Sequence, residues 1–485
     1  MDHRFPKKPV NGPAVSKPSI LAVILLLLLS VSATVKAAQP NIVLMMADDQ
    51  GWGDVGYNGH PELKTPHLDR MAREGVTFTR FYSANAMCSP TRGSVYTGRH
   101  PYRYGITFAM KGMLEPFEIP ISTILKNAGY STGHFGKWHM GTLSQKKPDQ
   151  KRWGAFGSNP KRYYCPPWDR DVDVCFVTES KVPTWDPMVD PGRFKRGVDN
   201  PLPDPATAKA YGNEYFTGPD QKAKDNLEGD DSRVMMDRAI PFIRNAVKKE
   251  KPFLAVIWFH TPHSPVVAGP KHRAMYKDLS VEKQHYYGCV TAMDEQVGRL
   301  RDELKKLNVA DNTMVWYCSD NGPARQGSPR QLGTAKNLSG YKLSLRDGGI
   351  RVPGLLVWPD RFPQPKTVDT PCVTTDYFPT ILAALDIPLP EDRPYDGINI
   401  LPLIENADAE RPGAIGFIHN RSKVWTGHRY KLFTADGKSF QLYDIIADPG
   451  EKKDVSSQFP EIKARMEKEF QAWYDGVMAD LAKVK

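Results

Sequence analysis

"PNIVLMMADDQGWGD", residues 40–54, is an apolar run that ends abruptly in two aspartates. Pro40 bounds it, Ile42 to Met46 carry no polar interruption, and Asp48 and Asp49 close it. A run this short and without alternation is the pattern of a strand buried on both faces, as in a parallel sheet. "TPHLDRMAREG" (65–75) follows as a helix, with Thr65 as N-cap, Pro66 at the first helical position, Leu68, Met71 and Ala72 on one face, and Gly75 as the stop. The alternation repeats. "ISTILKNAGY" feeds the short strand "STGHF"; "VMMDRAIPFIRNAVKK", which Pro241 should kink, leads into "FLAVIWF"; and "AMDEQVGRLRDELKKL" leads into "TMVWYCS". Strand and helix in this order predict an α/β fold with a mostly parallel sheet between helices.

The residues that leave these strands are polar and reactive. The first strand delivers Asp48 and Asp49, and "GKWHMG" delivers Lys137 and His139. "HTPHSP" delivers His260 and His263, and "SDNGP" delivers Asp320 and Asn321. Ligands of open α/β sheets bind beyond the carboxyl ends of the strands, so four strand ends aim at one crevice. One acid pair after a strand is ordinary turn chemistry; four polar strand ends are not. Asp48, Asp49, Asp320 and Asn321 offer only oxygen ligands, which suit Ca²⁺ first and Mg²⁺ second. Three carboxylates without a cation would repel one another. Arg92, Lys137, His139 and His263 would wall such a cation on the side where a tetrahedral anionic ester, phosphate or sulfate, could sit.

Cys88 lies in "NAMCSPTRGSVYTGR" (85–99), surrounded by small and polar residues. "CSPTRGSVYTGR" resembles the signature of the type I sulfatases, C-x-P-x-R followed by Thr-Gly-Arg, with Tyr96 where an aliphatic residue is commoner. "GYSTGHFGKWHMG" (129–141) is similar to that family's second signature. "ADDQGWGD", "PHSP", "SDNGP" and "GYKLSLRDGGIRVP" resemble its other blocks, in the family's order, across most of residues 39–365. The resemblance implies an alkaline-phosphatase-like fold and sulfate monoester hydrolysis. It also implies that Cys88 is oxidised to Cα-formylglycine by a formylglycine-generating or sulfatase-maturating enzyme. The aldehyde hydrate would supply one hydroxyl to attack sulfur and a second to release sulfate. By the same resemblance Cys88 is both nucleophile and metal ligand beside Asp48, Asp49, Asp320 and Asn321, and Asp320 can act as its base. Arg92 and His139 hold the hydrate and the bridging oxygens. Lys137, His263 and Lys342 bind the sulfate oxygens, and His263 or Lys342 protonates the leaving alcohol. Lys342 enters only through the family's K-x-x-x-x-[ED]-G-G pattern, five residues before Asp347. His260 is read as a structural neighbour.

Composition frames this reading. The chain has 485 residues and a formal charge of +10. Arg4, Lys7, Lys8 and Lys17 precede "ILAVILLLLLSVSA", which reads as a signal peptide over residues 1–37, followed by a catalytic domain over 38–400 and a C-terminal subdomain over 401–485. Cleavage removes five cationic residues and one acid and leaves +6. No basic run with interleaved aromatics argues for nucleic acid, and no membrane span is expected after cleavage. The protein is expected to be exported: periplasmic or extracellular, or lysosomal in a eukaryote. Of six cysteines, Cys165 and Cys175 in "YYCPPWDRDVDVC" are near enough to clip one loop, whereas Cys289, Cys318 and Cys372 read as buried small hydrophobes.

Residues 143–230 show no long periodic element and read as an irregular insertion lining the approach to the site, where Trp168, Trp185 and Arg193 could face a sugar ring, or as a surface loop. The C-terminal part reads as a small antiparallel sheet packed by a helix that presents Ile462, Met466, Phe470, Trp473, Val477 and Leu481 on one face. The reading is an exported, calcium-dependent sulfatase acting on a sulfated glycan. Two alternatives stand beside it: a phosphomonoester or phosphonate monoester hydrolase of the same superfamily, and a non-catalytic binder of sulfated polysaccharide.

Overall fold

In the computed structural model, residues 1–3, 5–9, 12, 39–146, 160–192, 207–324, 332–406 and 408–484 are described. Contacts divide the chain into Met1–Gln39 and a compact unit, Pro40–Lys485. Most of the expected leader, including its apolar run, lies outside the described residues, as does Arg193. Among the described residues no helix is long and apolar enough to cross a membrane.

Strand β1 (Asn41–Ala47) is central in a ten-stranded sheet of order β12-β2-β11-β9-β1-β8-β4-β5-β6-β7. Its neighbours are β8 (Phe253–Trp258) and β9 (Thr313–Ser319), and β4 (Ser131–Lys137) and β5 (Val174–Thr178) continue the parallel set. β2 (Val76–Phe78), β11 (Gly354–Val357) and β12 (Lys366–Val368) extend one edge; β6 (Phe216–Gly218) and β7 (Gln221–Lys222) extend the other. A short sheet joins β3 (Phe81–Tyr82), β10 (Arg351–Val352) and β13 (Cys372–Val373).

The unbroken apolar run of β1 follows from burial on both faces. Ile42, Leu44 and Met46 join one core with Trp258, Trp316 and Tyr96; Val43, Met45 and Ala47 join the other with Ile257, Tyr317 and Met293. Helices α1 (Pro66–Glu74), α4 (Asp231–Lys248) and α5 (Val281–Lys306) cover the second face, and α2 (Cys88–Thr97) and α3 (Ile121–Asn127) the first. Pro241 lies inside α4 on an exposed position, where the carbonyl deprived of its N–H partner can turn to water.

The expected cap of α1 differs. Thr65 makes no cap bond; its hydroxyl donates to Asp69 Oδ1 at 3.0 Å. The free amides of His67 and Leu68 donate instead to Asp294 of α5, at 3.0 and 2.7 Å. A buried carboxylate far along the chain thus performs the role assigned to the local threonine.

Residues 143–230 are not irregular throughout, since β5, β6 and β7 come from them. These strands are too short, and too closely flanked by prolines and aspartates, to announce themselves by periodicity. Cys165 and Cys175 are free thiols, so no bridge clips this loop: Cys165 Sγ donates to Leu114 O at 3.1 Å, and Cys175 Sγ to Val172 O at 3.8 Å.

At the C-terminus β14 (Ile415–His419), β15 (Ser422–Thr426), β16 (Tyr430–Thr434) and β17 (Gln441–Asp444) form a separate antiparallel sheet. Helix α6 (Pro460–Leu481) buries Met466, Phe470 and Val477 against it, with Ile462, Trp473 and Leu481 half-buried beside them. Lys431 of β16 is wholly buried and ion-paired with Asp347 at 2.7 Å and Glu451 at 2.9 Å. It fastens this sheet to the segment that carries Lys342.

The Asp294 cap gives a test. Burial pushes its carboxyl from 3.8 up to about 7, against the two amide bonds. The folded protein therefore keeps a proton that the unfolded chain releases within that window, so stability falls as pH rises through it. Asp294→Asn should gain in melting temperature relative to the wild type as pH is raised from about 4 to about 8. Asp294→Ala should cost about 1–2 kcal/mol, as loss of a cap does. A wild-type-minus-Asn difference independent of pH would contradict the assignment.

Candidate active site

Parallel register sets the crevice. Ala47 is level with Ser319, Met46 and Gly136 with Trp258, and Lys137 with Thr178, so five strands end flush. The Asp320 amide donates to Ala47 O at 3.1 Å and the Asp48 amide to Thr261 O at 2.9 Å. The Asp49 amide donates to Asp320 Oδ1 at 3.0 Å. Asp49 turns the chain through the left-handed region, at φ 69°, a conformation aspartate tolerates better than most residues.

Cys88 opens α2, every residue of which is buried. Gly98, at φ 68°, closes the helix with its amide on Ser94 O, and the lack of a Cβ makes that turn inexpensive. Cys88 Sγ and oxygens of Asp48 and Asp320 lie within 4.8 Å of one another; so do ligand atoms of Asp48, Asp49 and His263. One turn into the helix, Arg92 donates to Asp320 Oδ2 at 2.6 Å and stands 3.7 Å from Asp48 Oδ1, over the ring of Trp258. Lys137 Nζ donates to Asp48 Oδ2 at 2.7 Å, and Lys342 Nζ to Asp49 Oδ1 at 2.5 Å. His263 Nε2 is 3.6 Å from Asp49 Oδ2, and its Nδ1 is 2.8 Å from Ser264 O. His139 joins through its carbonyl, which accepts from Ser89 Oγ at 2.5 Å; its Nε2 lies 3.2 Å from the Met110 sulfur. His260 is fully buried between Asp231, at 2.8 Å, and Thr178, at 2.7 Å.

Burial and charge oppose each other here. Burial alone would push the Asp48 carboxyl up, yet Lys137, His263, Arg92 and Lys342 together hold it well below the usual carboxylate range. Asp49 is likewise lowered, because Lys342 and His263 outweigh burial. Asp320 goes the other way: burial and the charge of Asp48 push it up to about 7 against Arg92 and Lys137. Burial drives His263 down to about 3 despite the opposing charges of Asp49 and Asp48. Lys342 is raised, since Asp49, Cys88 and Asp48 overcome its burial. Burial also raises the Cys88 thiol, which Lys137 and Lys342 only partly oppose, so thiolate is disfavoured at this position.

The donor set fits a hard divalent cation. Asn321 Nδ2 donates to Asp49 Oδ1 at 2.8 Å and to Gly322 O at 2.9 Å. Its Oδ1, like Asp48 Oδ1, is buried without a hydrogen-bond partner among the described residues. Two orphaned oxygens beside the carboxylates of Asp49 and Asp320 suit Ca²⁺ better than a metal that prefers nitrogen and sulfur. Sequence reasoning missed Lys181, just beyond β5, whose charge acts on Asp48, Asp49, Lys137 and Lys342. The strand end "VCFVTESK" was the available signal. Trp185 packs against Gly269 and Trp168 against the core, with its Nε1 donating to Tyr164 at 3.2 Å.

Comparison with known proteins agrees with this geometry. The Sulfatase family model matches residues 40–387. N-acetylgalactosamine-6-sulfatase of Sus scrofa is 30% identical over 388 residues, covering 77% of this chain and 67% of the relative. Arylsulfatase G of Rattus norvegicus is 31% identical over 391 residues, covering 76% and 70%. The chain thus spans about two thirds of the length of these curated relatives. The crystal structure of Ps i-CgsB superposes with a TM-score of 0.75 at 27% identity, over 90% of this chain and 92% of that one. Ps i-CgsB has also been solved in complex with k-i-k-neocarrahexaose.

A cation that binds only the folded state stabilises it, by about 2.7 kcal/mol at a hundredfold excess over its dissociation constant. Ca²⁺ added to chelator-stripped protein should therefore raise the melting temperature. Asp48→Ala should abolish the rise. An equal rise in wild type and variant would place the cation elsewhere.

Proposed function

Because the chain belongs to the sulfatase family of sulfuric ester hydrolases, within the alkaline-phosphatase-like superfamily, we propose that it removes sulfate from a sulfated glycan, with Cys88 converted to formylglycine and Ca²⁺ as its cation. The observation that carries this reading is Cys88 at the head of a buried helix, with its side-chain atom clustered with oxygens of Asp48 and Asp320 and with Arg92, Lys137 and Lys342 around it. Glycan as the substrate class is supported by relatives named for a sulfated hexosamine and by the oligosaccharide bound to Ps i-CgsB. Export is part of the reading and rests on the sequence of residues 1–37.

Asp48, Asp49, Asp320, Asn321 and the side chain at position 88 would hold the cation. When both groups are in place, the cation draws charge from the ester oxygens and the formylglycine hydrate offers a nucleophilic hydroxyl. Arg92 fixes the Asp320 and Asp48 carboxylates, and Asp320, whose oxygen clusters with Cys88 Sγ, takes the proton at position 88. Lys137 and Lys342, paired with Asp48 and Asp49, bind the non-bridging sulfate oxygens. His139 braces the first turn of the nucleophile helix through its carbonyl. The leaving alcohol takes its proton from His263 Nε2 or Lys342 Nζ.

Mass spectrometry of the peptide spanning Cys88, from a host with maturation machinery, should show an aldehyde in place of the thiol; thiol alone in an active preparation would refute the mechanism. Cys88→Ala should lower kcat by about 10⁴-fold or more, as loss of a nucleophile does. His263→Ala and Lys342→Ala distinguish the proton donor. The donor's variant should lose far more rate on a sugar sulfate than on nitrophenyl sulfate, whose leaving group needs no proton. Losses equal on both substrates assign that residue to sulfate binding.

A further inference from the structure

The end of β5 belongs to the same crevice, because Thr178 is level with Lys137. Beyond it the chain is fastened on both sides. Thr178 Oγ1 donates to Ser180 O at 2.5 Å and meets His260 Nε2 at 2.7 Å, and the Asn213 amide donates to the Lys181 carbonyl. Three residues on, the Thr184 amide donates to Pro265 O at 3.2 Å, and Thr184 Oγ1 accepts from the Val267 amide at 2.7 Å. Lys181 is thus mounted between a strand end and the segment that carries His263.

Its charge differs from the others around it. Lys137 is committed to Asp48, Lys342 to Asp49 and Arg92 to Asp320. Lys181 feels Lys137, Lys342, Asp48 and Asp49, yet no carboxylate among the described residues lies within ion-pair distance of its ammonium. Lys137 and Asp48 are wholly buried, whereas Lys181, like Lys342, is half-buried. Burial first, then Lys137 and Lys342, hold its proton affinity below that of an ordinary lysine. Asp48 and Asp49 offset this only in part, and a half-buried cation on a fixed backbone, ion-paired with no acid among the described residues, is costly unless an incoming anion completes it.

We propose that Lys181 binds a second anionic group of the substrate, a sulfate or carboxylate on the glycan other than the sulfate that is cleaved. The inference rests on the glycan-sulfatase reading and narrows it to polyanionic sugars. Lys137, Lys342 and Arg92 are each paired with a carboxylate of the site and Lys181 with none among the described residues, which favours the second group over the transferred one.

The test uses the full chain carrying Cys88→Ala, so that sugars bind without turnover. Titration calorimetry compares a monosulfated and a disulfated N-acetylgalactosamine that share the 6-sulfate. With Lys181 present, the disulfated sugar should bind about tenfold more tightly, the gain expected of one charge-assisted contact. Lys181→Met should bring the ratio of the two affinities to about one, and Lys181→Arg should preserve it. Thermal melting confirms that each variant is folded. A ratio unchanged by Lys181→Met, or lost equally in Lys181→Arg, overturns the proposal and leaves the sulfatase reading standing. Binding of neither sugar with Lys181 intact overturns the glycan reading and this inference with it.

Discussion

Three carboxylates, Asp48, Asp49 and Asp320, are buried at the ends of two adjacent strands, and the rest of the site is arranged around the cost of keeping them there. A buried carboxylate without compensation is far more expensive than the net stability of a domain can carry. Compensation comes from residues that cannot be local to the aspartates. Arg92 arrives on a helix from the other side of the sheet, Lys137 from β4, and Lys342 from a segment between the ninth and tenth strands. Each must be delivered to within hydrogen-bond distance, and flush parallel register makes that delivery accurate. A one-residue slip of β9 against β1 would move Asp320 away from both Arg92 and the Asp49 amide.

The parallel heart of this fold was legible because burial on two faces leaves a distinctive trace: β1, β8 and β9 are apolar without alternation, and a polar pair follows each of them. The convergence of Asp48, Asp49, His263, Asp320 and Asn321 could be read from the same trace. Register could not, since nothing in one strand's composition states its offset from a neighbour. The cap of α1 was assigned to Thr65 because sequence shows only near neighbours, and Asp294 comes from another helix. Lys342 was reachable only through resemblance to a family pattern; its surroundings read as solvent-facing. β5 was passed over because its five residues are framed by proline and acid, and with it went Lys181.

The C-terminal sheet is more than an appendage. Lys431 is buried with Asp347 and Glu451, and the Asp347 amide donates to Glu451 Oε2 at 2.7 Å. Tyr82, next to the strand pairing that precedes the Cys88 helix, donates to the other oxygen of Asp347 at 3.0 Å. One carboxylate therefore joins the last sheet, the Lys342 segment and the approach to the nucleophile helix. Removing one partner would leave another charge buried and unmatched, which costs more than an exposed ion pair can return.

The complete burial of Cys88–Thr97 also orders events in time. An enzyme that alters Cys88 has to reach a side chain that the folded protein leaves 3% exposed, on a helix with no accessible face. Such a reaction belongs to the nascent or unfolded chain, before Arg92 meets Asp320. Asp320, Lys342 and Lys431 all lie far downstream, so the surroundings of the cysteine are not complete until they have emerged.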